Sequence, residues 1–239
     1  MDYFEEYIKN YDLTNPEILY KYYHSKRVMD NMEVLAKSMN LPIKDVYLAK
    51  IIGLYHDIGR FKQYTNHQNY DNELLDHGTY GKEILEQNKV LSKLDIPKED
   101  YSVVYKSISN HNKYEIEKGL NKRELLFSQM IRDADKLDIL YAIGNKKIKP
   151  YIYEDDSIIT NEVKQTFLSK KTITKDKIKN KNDGLITMFS YIYDINFNST
   201  LYIIKKNRYY EKILKRLKDK EKFTPYIDYI KTHIKERTN

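Results

Sequence analysis

The sequence predicts an all-α fold, and three observations carry that expectation. Only seven Gly and five Pro occur in 239 residues, so tight hairpin turns have little material. Apolar residues recur at helical spacing through a succession of segments. A hydrophobic fraction of 41% beside 32% charged residues is that of an ordinary globular chain, long enough to bury a substantial core in one large or two small domains.

The elements follow in order. A helix is expected from about His24 to Met39, with Val28, Met32, Leu35 and Ala36 on one face. A second starts near Pro42, and Val46, Ala49, Ile52 and Tyr55 carry its pattern into His56. Gly59 is read as its stop, since Gly tolerates the left-handed conformation that ends helices. Residues 60 to 77, with Asn66, Asn69, Asp71 and Asn72, read as a long loop, and loops of that length are often functional. Helices are then expected over Thr79 to Gln87, Asp100 to His111 and Lys122 to Ile143, the last with Leu125, Leu126, Met130, Ala134, Leu137 and Leu140 inward. KKTITKDKIKNKNDG reads as an exposed connector, followed by amphipathic helices over Leu185 to Ile195, Leu201 to Leu217 and Thr224 to Lys235. No internal repeat is present. The chain is divided at residue 150, into a core over 1–150 and a helical extension over 151–239 expected to pack on it as one unit.

Composition excludes several chemistries. The chain has no cysteine, which removes disulfides, thiolate ligands and thiol nucleophiles together. MDYFEEYIKNYD lacks the basic start and apolar block of a secretory signal, and LITMFSYIYDI is too short and polar to span a bilayer. A cytoplasmic location is the expectation. The formal charge of +7 and the 24 Tyr would suit nucleic acid. The lysines are scattered, however, and solvated surface is the preferred reading.

Five of the six His fall in the first half of the chain. His24 sits near a helix start in YKYYHSKRV, and His56 with Asp57 ends an apolar run in GLYHDIGRF. His77 follows the polar segment in LLDHGTYG, His111 closes an amphipathic run in SISNHNKY, and Asp135 lies in RDADKLD. Each His taken singly is an ordinary structural or surface residue. As a set they occupy element boundaries and apolar helical faces, where side chains from several helices converge in a bundle interior. A carboxylate ending an apolar run is costly without a positive partner. Imidazole and carboxylate without thiolate suit Fe, Mn, Zn, Co or Ni, so a divalent cation is a candidate partner for Asp57.

The order His24, then His56-Asp57 followed by Ile58-Gly59, then Asp135 within ADKL, resembles the HD superfamily of metal-dependent phosphohydrolases over roughly residues 20 to 145. The resemblance implies a helical bundle in which His24, His56, Asp57 and Asp135 bind one ion. His77 and His111 fall where the two-metal branch carries extra ligands, with Asp57 bridging. The HD-GYP signature is absent, since Asn-Lys-Tyr follows His111, which removes the cyclic-dinucleotide assignment. Arg60 replaces the Lys that many relatives carry after Ile-Gly, and still offers charge to a phosphate as a planar fork.

What the resemblance implies is hydrolysis of a phosphoester or phosphoanhydride of a nucleotide or related small molecule, with water activated by one or two divalent ions. Asp57 orients the water and binds metal, and Arg60, with Lys62 or Lys136 as further candidates, stabilises developing charge. Tyr64 and Tyr70 are candidates to stack on a base. His67 reads as a loop-packing residue. Asp133 lies about 200° around the helix from Asp135 and is read as a surface partner of Arg132 or Lys136, whereas Asp138 is placed to support Asp135. The alternatives are a non-catalytic metal- or nucleotide-binding regulatory module, and a helical nucleic-acid-binding protein.

Overall fold

The computed structural model describes residues 2–67, 75–145 and 155–238. Among the described residues it contains twelve α-helices and no strand, so the expected all-α class is observed. The chain divides into two compact units, Met1–Asp135 and Lys136–Asn239.

The first unit holds α1 (Asp2–Ile8), α2 (Pro16–Ser38), α3 (Ile43–Tyr55), α4 (Ile58–His67), α5 (His77–Gln87) and α6 (Tyr101–Asn110). It also holds the start of α7 (Lys122–Gly144), which runs through the division. Helix α2 starts earlier than the spacing suggests. Asn15 caps it by accepting from the amides of Glu17 and Ile18, and Pro16 supplies a pre-set φ at the first helical position. Val28, Met32, Leu35 and Ala36 are buried as expected, as are Val46, Ala49, Ile52 and Tyr55 of α3, the helix that packs against α2. Phe4 of α1 closes this core, its ring edge-on to Tyr55 at 5.6 Å and to Phe61 of α4 at 6.2 Å.

The close approach of α2 and α3 requires Gly53. A Cβ there would lie 2.8 Å from Met29 Cα and 2.9 Å from Val28 O, both backbone atoms that cannot rotate aside. Gly53→Ala gains roughly 1 kcal/mol of helix propensity. Overpacking against backbone costs about 1–3 kcal/mol, so the strain is expected to win. The expected outcome is a melting temperature lowered by a few degrees in a thermal unfolding scan; an unchanged or raised value would show that the two helices can part freely.

Several expectations are corrected. Gly59 does not end a helix but lies in the first turn of α4. A Cβ on it would meet His77 O at 2.6 Å and Gly81 N at 3.0 Å, so its role is to let α4 sit against α5. The loop read over 60 to 77 is therefore helical through His67, with Ile58 and Phe61 buried at helical spacing. Residues 68–74, including Asn69, Tyr70, Asp71 and Asn72, lie outside the described residues. Helix α5 begins at His77, because Asp76 caps it by accepting from the amides of Gly78 and Thr79. Leu125 is 39% exposed, not inward, while Met130, Ala134, Leu137 and Leu140 are buried.

The second unit contains the end of α7 with α8 (Asn161–Leu168), α9 (Lys181–Phe189), α10 (Asn198–Asn207), α11 (Tyr209–Arg216) and α12 (Lys220–Thr238). The basic stretch at 170–184 is not wholly an exposed connector. Its Ile173 is buried, and buried Asp183 accepts from the amides of Thr160 at 2.8 Å and Lys179 at 3.1 Å. The helix expected over Leu201 to Leu217 is two helices, divided at Arg208, whose φ of 53° is left-handed. That over Leu185 to Ile195 ends as a 3-10 turn, Ser190–Asp194. Helix α12 extends beyond Thr224 to Lys235 at both ends, with Asp219 accepting from the Lys222 amide at 3.0 Å at its start. No helix among the described residues is long and apolar enough to cross a membrane.

Candidate metal centre

Five elements of the first unit bring polar side chains to one buried point. Helix α2 contributes Lys21 and His24, one turn apart on the same face. His56 and Asp57 occupy the turn between α3 and α4, so the chain bends where the apolar run stops. His77 opens α5, His111 follows the last residue of α6, and Asp135 projects from α7. His24, His56, Asp57, His77 and His111 are all buried, and the Asp135 side chain retains 21% exposure.

The two oxygens of Asp57 face different partners. Oδ2 lies 3.4 Å from His24 Nε2 and 3.6 Å from His56 Nε2. Oδ1 lies 3.5 Å from His77 Nε2 and 3.4 Å from His111 Nε2. Asp135 Oδ1 joins the first group, 3.2 Å from His24 Nε2 and 3.9 Å from His56 Nε2. Within the groups, His24 and His56 approach Nε2 to Nε2 at 3.2 Å, and His77 and His111 at 3.1 Å. Residues as far as 111 positions apart thus meet within one small volume.

The ring orientations are held from behind. His56 Nδ1 donates to Gly53 O at 2.8 Å, and His111 Nδ1 donates to Ile108 O at 2.6 Å. Each carbonyl belongs to the helix that the His terminates, three residues earlier, so the helix end itself sets the tautomer. With Nδ1 protonated, the neutral ring turns its Nε2 lone pair into the cluster. Asn112 Nδ2 lies 3.3 Å from His77 Nδ1 and donates to Asp76 Oδ1 at 2.8 Å, tying the start of α5 to the end of α6. Arg132 of α7 donates to the carbonyls of Asn110, Lys113 and Tyr114, and so clamps the chain around His111.

Electrostatics match that arrangement. Burial lowers the pKa of His56 to about 4, against the pull of Asp57 and Asp135. Burial also holds His77 well below its ordinary value, helped by His111 and Arg60. Both rings are therefore neutral near pH 7, as ligands must be. For Asp57, burial acts upward but is outweighed, first by the Lys21 ammonium and then by the surrounding imidazoles, which together hold the carboxyl well below the usual range. Asp135 is likewise lowered, since its contact with the His24 imidazole outweighs the effect of burial.

The donor set fits a metal ion. Ligand atoms about 2.1 Å from one ion in a tetrahedron stand about 3.4 Å apart, the middle of the separations seen here. His24, His56 and Asp135 offer one such trio, and His56, Asp57 and His111 offer another. The Nε2 atoms of His24 and His56, and those of His77 and His111, approach closely enough to share a proton or a cation, and the buried carboxylate oxygens beside them favour positive charge there.

Lys21 was not visible as a site residue from the sequence. Its Nζ lies 2.7 Å from Asp57 Oδ2, and the signal that could have found it is its position one helical turn before His24. Arg60 stands close, with Nε 3.8 Å from Asp57 Oδ1 and Nη1 donating to Gln63 Oε1 at 3.0 Å. Lys136 is instead buried and paired with Asp194 at 2.6 Å. Lys62 is exposed, its Nζ 5.7 Å from the Tyr80 ring centroid. Asp133 is fully buried beside buried Arg132, which corrects its reading as a surface ion-pair partner. Asp138 is buried as well. Tyr64 is half-buried on α4, and the position of the His67 side chain lies outside what is described, as does Tyr70. His233, in the second unit, packs edge-on to Tyr193 at 5.1 Å.

The HD domain family matches residues 22–140, a segment that begins just before His24 and ends just after Asp135. No curated protein and no solved structure matches the chain. Members of the HD family are generally metal-dependent phosphohydrolases. Residues 22–140 of this chain are an HD domain, with a buried His and Asp cluster consistent with that family's metal site.

Proposed function

We propose that this protein is a metal-dependent phosphohydrolase that cleaves a phosphoester or phosphoanhydride in a nucleotide or related small molecule, in the cytoplasm. The observation that supports this most is the double-faced contact of Asp57: one oxygen with His24 and His56, the other with His77 and His111. In this reading His24, His56, Asp57 and Asp135 would hold one divalent ion, of Fe, Mn, Zn, Co or Ni, and His77 and His111 with Asp57 would hold a second. The chemistry supplied by a metal bound there would be water made nucleophilic at neutral pH and Lewis-acid polarisation of phosphoryl oxygens.

The chain's own groups divide the remaining work. Asp57 orients the attacking water through a carboxylate that stays ionised at neutral pH. Lys21 and Arg60 offset the negative charge of Asp57, and in this reading would stabilise phosphoryl oxygens as charge develops on them. Arg60 presents a planar fork suited to two oxygens at once, and Lys21 a point charge. The carbonyls behind His56 and His111 keep those rings from turning, so little reorganisation is needed when substrate binds.

The test is a substrate panel of bis-p-nitrophenyl phosphate, p-nitrophenyl phosphate, and nucleoside mono-, di- and triphosphates, each assayed with Mn, Fe, Co, Ni and Zn. Turnover that a chelator removes and metal restores is the expected result. Tight metal binding with no turnover across the panel would replace the hydrolase with a metal- or nucleotide-binding regulatory module.

A further inference from the structure

Two cations of the chain itself stand on the central carboxylate. Lys21 Nζ lies 2.7 Å from Asp57 Oδ2, nearer than His24 Nε2 at 3.4 Å or His56 Nε2 at 3.6 Å on the same oxygen. Arg60 Nε lies 3.8 Å from Oδ1. The carboxylates of Asp57 and Asp135 are thus matched by two positive side chains before any ion is counted. The Lys21 contact has the length of a charge-assisted hydrogen bond, between a side chain that is 14% exposed and one that is 4% exposed. A pair so far out of water is weakly screened.

The placement is built into α2. Lys21 and His24 are three residues apart, so both project from one face of one helix towards the same oxygen. An ion held by His24, His56 and Asp57 would share that oxygen with the ammonium. Two positive charges on one buried carboxylate repel strongly. Against this stands whatever Lys21 does to orient Asp57. That share is small, because the buried carboxylate is also flanked by His24, His56, His77, His111 and Arg60. Repulsion therefore decides the sign.

We propose that Lys21 is a resident competitor of the metal ion, whose ammonium stabilises the buried Asp57 carboxylate and thereby weakens ion binding at the cluster. This role rests on the metal-centre reading above and adds to it a residue that sets ion affinity through Asp57, not by ligation. Lysine suits the task, since its ammonium ends a flexible stem and can give ground to an ion while the helix stays in place.

The test is isothermal titration of the chelator-stripped full chain with Mn²⁺, for wild type, Lys21→Met and Lys21→Gln, read as the concentration at half-saturation. Each neutral variant is expected to bind Mn²⁺ at least tenfold more tightly than wild type. In excess chelator both are expected to melt below wild type, because buried Asp57 has lost a cation. Saturating Mn²⁺ is expected to raise their midpoints by more than it raises that of wild type. Gln keeps a hydrogen-bond donor for Asp57 and supplies a folded neutral variant where Met proves too destabilising. Affinity equal to or weaker than that of wild type in either folded variant would overturn the proposal and leave Lys21 as a residue that orients Asp57. Chelator-sensitive turnover by wild type would in that case keep the hydrolase reading standing, whereas absence of Mn²⁺ binding in all three proteins would end both.

Discussion

Asp57→Asn is expected to strip the purified protein of bound metal and to lower hydrolysis of its best substrate by roughly a thousandfold, equivalent to about 4 kcal/mol of transition-state stabilisation. The magnitude follows from position. Asp57 is the side chain that contacts all four imidazoles, so its charge serves both halves of the cluster. The substitution is isosteric, but it leaves the Lys21 ammonium, 2.7 Å away and largely buried, without its carboxylate. An orphaned buried charge is itself destabilising. The double variant Asp57→Asn, Lys21→Met removes that second effect, and a thermal scan distinguishes loss of folding from loss of metal. Elemental analysis and steady-state turnover are the readouts. Metal content and turnover equal to wild type in a folded Asp57→Asn protein would end the hydrolase assignment.

The second large effect concerns ion count. His111→Gln is expected to reduce bound metal from two equivalents to one, and to cut turnover by roughly a hundredfold. His111 Nε2 is 3.1 Å from His77 Nε2 and 3.4 Å from Asp57 Oδ1, and its ring is fixed by Ile108 O, so Gln cannot restore the same lone pair at the same place. His24, His56 and Asp135 are untouched by the change and retain their trio. A wild-type protein that is fully active with a single equivalent of metal would show that the pair made by His77 and His111 serves another purpose.

Helical character was legible because it is local. Val28, Met32, Leu35 and Ala36 repeat at the spacing of one helix face, and the same face is buried in the structure. The order of His24, His56, Asp57 and Asp135 was legible as well, because it is a pattern along the chain that the HD domain family shares. Errors arose where a local signal had a distant cause. Gly59 looks like a helix stop, yet what demands glycine there is the backbone of His77, eighteen residues on. Asp133 looks like surface because charged neighbours flank it, yet α7 is buried on both sides at that point, and Arg132 turns inward to clamp the chain at Asn110, Lys113 and Tyr114.

From its sequence alone the protein was committed to helices, to a thiol-free set of nitrogen and oxygen donors, and to the HD arrangement of those donors along the chain. Only the tertiary structure decided that the two oxygens of Asp57 face different imidazole pairs, that Lys21 shares its charge, and that His77 meets His111. The physical reason is that propensity and periodicity act over one or two turns of helix. A 3.1 Å approach between rings 34 residues apart depends on how α4, α5 and α6 pack, down to the missing Cβ atoms that let their backbones touch.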